Sequence, residues 1–138
     1  MMRNVKLTAN LLLIDDDADL LQMLDVTLKQ MGHRVTTASN WNEVVARLNA
    51  RTGADKGFDI IFLDLLMPVR TGFDVLRSLK VLLYPMPPVV VLTALSGIEH
   101  AVQALELGAT KYLTKPVSRD KLAETVREIL QGKQKSPF

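Results

Sequence analysis

At 138 residues and 15.4 kDa the chain is the length of one domain and too short for two full ones. Apolar residues at 48% and charged residues at 23% exclude a disordered chain; with no cysteine there is no disulfide scaffold, thiolate metal site or thiol nucleophile, which suits a reducing cytosol. The pI near 9.0 does not indicate a nucleic-acid groove: Arg3, Lys6, Lys133 and Lys135 lie in acid-free ends, so the rest of the 17 Lys and Arg are outnumbered by the 15 acids.

The apolar runs are short, so none spans a membrane, and the first ten residues lack the pattern of a signal peptide. The expectation is a cytoplasmic chain with no membrane partner and no direct contact with nucleic acid. Residues 11–14 (LLLI) predict a first strand. Leu20, Leu21, Leu24, Leu28 and Met31 then recur at helical spacing, with Gly32 as the stop. A weaker strand follows at residues 34–37. Asn40 and Glu43 have capping-box spacing ahead of Val44, Val45 and Leu48.

Residues 60–63 (IIFL) predict the third strand, and Phe73, Val75, Leu76 and Leu79 a helix starting near Gly72. The proline-rich stretch 84–88 separates that helix from a fourth strand at residues 89–92. Ser96 and Glu99 form a second capping-box pattern before Val102, Leu105 and Leu107, which Gly108 ends. A fifth strand at residues 111–114 precedes a helix that starts at Ser118, is stapled by Val117 and Leu122, and buries Leu122, Val126, Ile129 and Leu130. Met23, Met31 and Met86 read as core filling or loop contacts, and Trp41, His33 and His100 as packing or surface residues.

Three of the five strand segments are apolar throughout, as in a parallel sheet covered on both faces. Five strand–helix pairs therefore predict a single doubly wound (βα)5 domain of the α/β class. It covers residues 9–131, and residues 132–138 read as a tail or the start of a linker.

The polar residues gather at the strand ends. The first strand ends in Asp15 and Asp16, the third in Asp64, the fourth in Thr93 and the fifth in Thr114 and Lys115. In a parallel sheet these ends share one edge, the edge at which such folds bind ligands. Three carboxylates there call for a cation, and an all-oxygen set suits Mg²⁺. A lysine and a threonine hydroxyl suit phosphoryl oxygens. The group points to phosphoryl transfer to or from a carboxylate. Asp17 reads as a helix cap, and a cis Lys115–Pro116 bond is the favoured geometry for aiming the amine.

From residue 11 to residue 130 the chain resembles the CheY-like receiver domains of two-component response regulators. The resemblance rests on LLLIDDD, IIFLDLLMP with Gly72 following, VVVLTA and YLTKP in this order and spacing. It implies a flavodoxin-like parallel sheet in the order 2-1-3-4-5. It implies that Asp64 is the phosphoacceptor, charged by a sensor histidine kinase or phosphotransfer protein. Asp16, Asp64 and the Leu66 carbonyl would bind Mg²⁺ directly, and Asp15 through water. Lys115 and Thr93 would hold the phosphoryl group. Thr93 and Tyr112 would switch together, although Tyr112 also reads as a half-buried aromatic with a wet hydroxyl.

By the same resemblance, helix four, strand five and helix five form the output face, controlling an output domain or partner or a phosphorylation-linked homodimer. The chain would be a phosphoacceptor regulator that catalyses only its own phosphorylation and slow dephosphorylation. Leu66 and Leu95 would border the path of hydrolytic water and lengthen the life of the phosphoryl group. Two other readings compete. A haloacid-dehalogenase-like phosphatase would use Asp15 and Asp17, but it needs an acidic pair after the lysine, where only the helically spaced Asp120, Glu124 and Glu128 follow, and it leaves Asp64 without a role. A pseudo-receiver that is never phosphorylated would not need the full set Asp15, Asp16, Asp64, Thr93 and Lys115.

Overall fold

Successive strand residues point to opposite faces, so a strand that is apolar throughout packs helices on both sides. That is the arrangement in the computed structural model, which describes residues 8–51, 57–133 and 136–138. The elements in order are β1 (Asn10–Ile14), α1 (Ala18–Gln30), β2 (Arg34–Ala38), α2 (Trp41–Asn49), β3 (Ile60–Leu63), α3 (Gly72–Leu82), β4 (Val89–Thr93), α4 (Ile98–Glu106), β5 (Lys111–Thr114) and α5 (Arg119–Gln131). All neighbouring strands pair parallel, in the order β2-β1-β3-β4-β5. Fold class and strand order are those expected, and each strand agrees with its expected bounds to within one residue.

Two cores result. Leu12, Ile14, Ile61, Leu63, Val89 and Val91 face Val44 of α2, Val75, Leu76 and Leu79 of α3, and Ala101 and Ala104 of α4. Leu11, Leu13, Ile60, Phe62, Val90 and Leu92 face Leu21, Leu24 and Leu28 of α1 and Leu122 and Val126 of α5. Each large aliphatic side chain buried this way contributes about 1.5–3 kcal/mol relative to exposure. The strands are therefore held rigidly, and so are the residues at their ends.

The helix starts follow local chemistry, with two departures from expectation. Asn40 caps α2 by accepting the Glu43 N–H at 2.9 Å, but Glu43 reaches back to Ser39, whose N–H (2.7 Å) and hydroxyl (2.9 Å) both donate to it. The Ser39 backbone bond, then its hydroxyl, holds the Glu43 carboxyl below its ordinary range. The expected Ser96–Glu99 box does not form. Gly97, at φ 114°, takes the N-cap position with no side-chain cap, and the Ser96 carbonyl accepts from His100 Nδ1 at 2.9 Å.

The buried stripe of α4 is also smaller than expected: Ala101 and Ala104 are buried, whereas Val102 is 45% exposed. Small residues let this helix sit close to the sheet. Met23 is 59% exposed, because it lies off the stripe of Leu21, Leu24 and Leu28. Arg3, Lys6 and Lys135 lie outside the described residues.

Candidate functional site

The hydrogen-bond ladder of the sheet runs on into the site. Ile14 is in register with Leu63, and Thr93 with Thr114. One residue further, the Asp15 N–H donates to the Ala38 carbonyl (3.1 Å), the Asp64 N–H to Ile14 (3.0 Å) and the Lys115 N–H to Thr93 (2.7 Å). Residues far apart in sequence thus arrive side by side on backbones that the sheet already holds.

Lys115 Nζ donates to Asp15 Oδ2 at 2.7 Å and to Asp64 Oδ2 at 3.1 Å. Asp15 and Asp64 are buried and Asp16 is exposed, yet the three carboxylates offer oxygens within 4.8 Å of one another. Burial pushes the Asp15 carboxyl above its ordinary value, against the pull of Lys115. Burial works against the Lys115 charge too, but the hydrogen bonds and charges of Asp15, then Asp64, outweigh it and raise the ammonium. One ammonium among three carboxylates leaves the cluster short of positive charge. An all-oxygen donor set with an exposed carboxylate at its rim fits a hard divalent cation such as Mg²⁺.

The three acids of residues 15–17 take different positions. Asp15 Oδ1 accepts the Asp17 N–H at 3.0 Å, while Asp17 Oδ1 caps α1 by accepting the Asp19 and Leu20 N–H groups, each at 3.1 Å. Asp64 Oδ1 repeats the first of these turns with the Leu66 N–H at 3.0 Å. The start of α3 then lies directly on the site's backbone. The Gly72 N–H donates to the Leu65 carbonyl at 3.1 Å, and a Cβ on Gly72 would lie 2.2 Å from the Asp64 carbonyl oxygen and 2.4 Å from Leu65 Cα. Between them Val69 has φ 62° and a fully exposed side chain.

Thr93 is buried, and its Oγ accepts the Leu95 N–H at 3.3 Å. The ring of Tyr112 is buried as well, and its hydroxyl donates to the Leu95 carbonyl, so it is not a wet tip. Burial, and secondarily the Asp64 charge, raises the Tyr112 hydroxyl above its ordinary value. The Lys115–Pro116 bond is cis. Leu66 is 50% exposed beside Asp64, and Leu95 is partly buried. Asp120, Glu124 and Glu128 lie along α5.

Two features escaped the sequence reading. The close approach of Gly72 needs the tertiary structure, since glycine in a loop has many uses. Lys111 is 2% exposed at the start of β5; a lysine heading the run KYLT was the available signal.

An acid cluster, one lysine and one buried hydroxyl thus meet at the carboxyl edge of a doubly wound 2-1-3-4-5 sheet, a polar set suited to a phosphoryl group. The chain belongs to the response regulator receiver domain family, which matches residues 11–127. It is 33% identical over 121 residues to the transcriptional regulatory protein ZraR of Salmonella typhimurium, covering 88% of this chain and 26% of that protein. It is 35% identical over 124 residues to the cell cycle response regulator CtrA of Brucella ovis, covering 87% of this chain and 49% of CtrA. The chain thus spans about a quarter to a half of these relatives. Among solved structures, chemotaxis protein CheY4 of Vibrio cholerae matches with a TM-score of 0.79 and 31% identity, over 89% of this chain and 99% of that one. The chain is accordingly a receiver domain of two-component signalling, a family that works with histidine kinases or phosphotransfer proteins and is not an enzyme in the ordinary sense. Among the described residues no helix is long and apolar enough to cross a membrane.

Proposed function

We propose that Asp64 accepts a phosphoryl group from the phosphohistidine of a sensor kinase or phosphotransfer protein, within a receiver unit of residues 9–131. The observation that carries this reading is Lys115 Nζ joining Asp15 and Asp64 in one buried cluster. An Asp64 carboxylate oxygen attacks phosphorus, an O–P bond forms as the N–P bond breaks, and the electron pair stays on the imidazole nitrogen, which takes up a proton. Lys115 offsets the charge of the arriving oxygens, and the Thr93 hydroxyl turns from the Leu95 N–H to donate to one of them. Mg²⁺ held by Asp16, Asp64, the Leu66 carbonyl and, through water, Asp15 would supply the remaining positive charge.

The output runs through Thr93 and Tyr112. Both meet Leu95, so movement of Thr93 reaches Tyr112 and the α4–β5–α5 face. That face then controls an output domain, a partner or a homodimer, in the cytoplasm where the kinase's catalytic part resides. Leu66 and Leu95 offer no hydrogen bond to hydrolytic water, which supports a long-lived acyl phosphate.

Incubation with acetyl phosphate and Mg²⁺, followed by borohydride trapping and peptide mass spectrometry, tests the assignment. The label is expected on Asp64 and absent from Asp64→Asn; label on Asp15 or Asp16 overturns it. Calorimetry should show weakened Mg²⁺ binding in Asp16→Ala. Phosphate release should quicken in Leu66→Asn or Leu95→Glu, and unchanged release in both would remove the leucines from the account.

A further inference from the structure

β5 lies at the edge of the sheet, with β4 on one side only, so its outward N–H and C=O groups need partners from elsewhere. Residues 136–138 supply one such partner, and two more for the lysine that heads the strand. The Tyr112 N–H donates to the Pro137 carbonyl at 2.7 Å. The buried Lys111 ammonium donates to the main-chain oxygens of Ser136 (3.1 Å) and Phe138 (3.0 Å). Phe138, half-exposed, lines a groove of about 600 Å³ between α4 and α5 with Ile98, Ala101, Val117 and Lys121. The chain turns out of α5 at Gly132, whose φ of 67° is left-handed, with the Lys133 N–H returning to Glu128 at 2.9 Å.

A buried ammonium is costly unless hydrogen-bonded. Burial, with repulsion from Lys121, lowers the Lys111 ammonium, and the carboxylates of Glu128 and Glu124 pull the other way. Direct acceptors for it come from the tail. Lys111 thus selects two main-chain carbonyls, the outward Tyr112 N–H selects the one between them, and the groove selects an apolar side chain at the next position. The Phe138 N–H donates to Ser136 Oγ at 3.1 Å, so the segment docks on the sheet edge as a short turn that presents its carbonyls to β5.

We propose that the outer edge of β5 and the adjoining α4–α5 groove form a peptide-accepting surface, occupied in cis by residues 136–138, which must leave before a second copy of the chain can use this face. Tyr112 couples the two states. Its N–H is bound to the tail and its hydroxyl to Leu95, the residue that also touches Thr93. The coupling to phosphorylation rests on the function proposed above; the docking of the tail does not.

Amide hydrogen exchange at Tyr112 separates the two. The full chain should protect this amide about tenfold more than a chain ending at Lys133, and Phe138→Ser should lose part of that protection. A synthetic peptide of residues 133–138, added in trans to the shortened chain, should restore it. Equal protection in full and shortened chains, with both folded by circular dichroism, overturns the docking. With Mg²⁺ and beryllofluoride, sedimentation should show the shortened chain self-associating at about tenfold lower concentration than the full chain. Equal self-association of two chains that both respond to beryllofluoride overturns the gating role. If beryllofluoride changes neither chain while the Tyr112 difference persists, the phosphoacceptor reading fails and the docked tail stands.

Discussion

Two loops deliver carboxylates to the same lysine, and they are built differently. Within the β1–α1 loop, the bonds that the Asp15 and Asp17 side chains accept from main-chain N–H groups span only two or three residues. The β3–α3 loop begins with the same local turn at Asp64, but its path is then set by Gly72 resting on the backbone of Asp64 and Leu65 and by Val69 in the left-handed region. The first loop is an outcome of local chemistry. The second is an outcome of a helix being pressed against a strand end, and it has no room to adjust.

Gly72→Ala should break the second loop outright. The new Cβ meets backbone atoms that cannot rotate away, so a loss of about 3 kcal/mol in urea unfolding is expected. Phosphorylation from acetyl phosphate should fall with it, even under conditions where the variant stays folded. A loss below 1 kcal/mol would show that α3 can slide, and the contrast between the loops would shrink.

Asp17→Ala should cost about 1 kcal/mol, the usual worth of an N-cap. It should leave phosphorylation nearly intact, because Asp15 is held by the main-chain N–H of residue 17 and not by its side chain. Equal losses of stability and labelling would mean that the first loop is not sorted locally.

Val69→Gly should act on the second loop in the opposite direction. A β-branched residue at φ 62° is strained, and its exposed side chain packs on nothing that would be lost. Relief of that strain, less the added freedom of glycine in the unfolded chain, should stabilise by about 1 kcal/mol in the same unfolding assay.

The smallest effect lies away from both loops. His33 Nδ1 accepts the Ala9 N–H at 3.1 Å, which requires a neutral ring, and burial lowers its tendency to take a proton. A folded value below the ordinary 6.5 contributes stability that is fully present above 6.5 and is lost as the pH falls from there through the lower folded value. The urea midpoint should therefore drop between pH 7.5 and pH 5.5, and drop less in His33→Gln. Trp41, which lies under the Arg70 guanidinium at 4.5 Å and borders Met67 and Pro68, gives a fluorescence signal for the second loop in the same titrations.

The five strand–helix pairs are legible along the chain, because wholly apolar strands and helical stripes are patterns of neighbouring residues. So are the residues that stand at strand ends, and with them Asp15, Asp64, Thr93 and Lys115, since a parallel sheet aligns those ends. Asp17 as a cap was equally legible. The contacts between distant backbones arise only once the chain has folded. Gly72 matters because of where Asp64 lies, and Ser96 fails as a cap because Gly97 takes that position at positive φ. Val102 faces out because α4 approaches the sheet through alanines. Lys111 and the tail that accepts its hydrogen bonds belong here too, since a buried charge finds its partner through space and the partner lies 25 to 27 residues away along the chain.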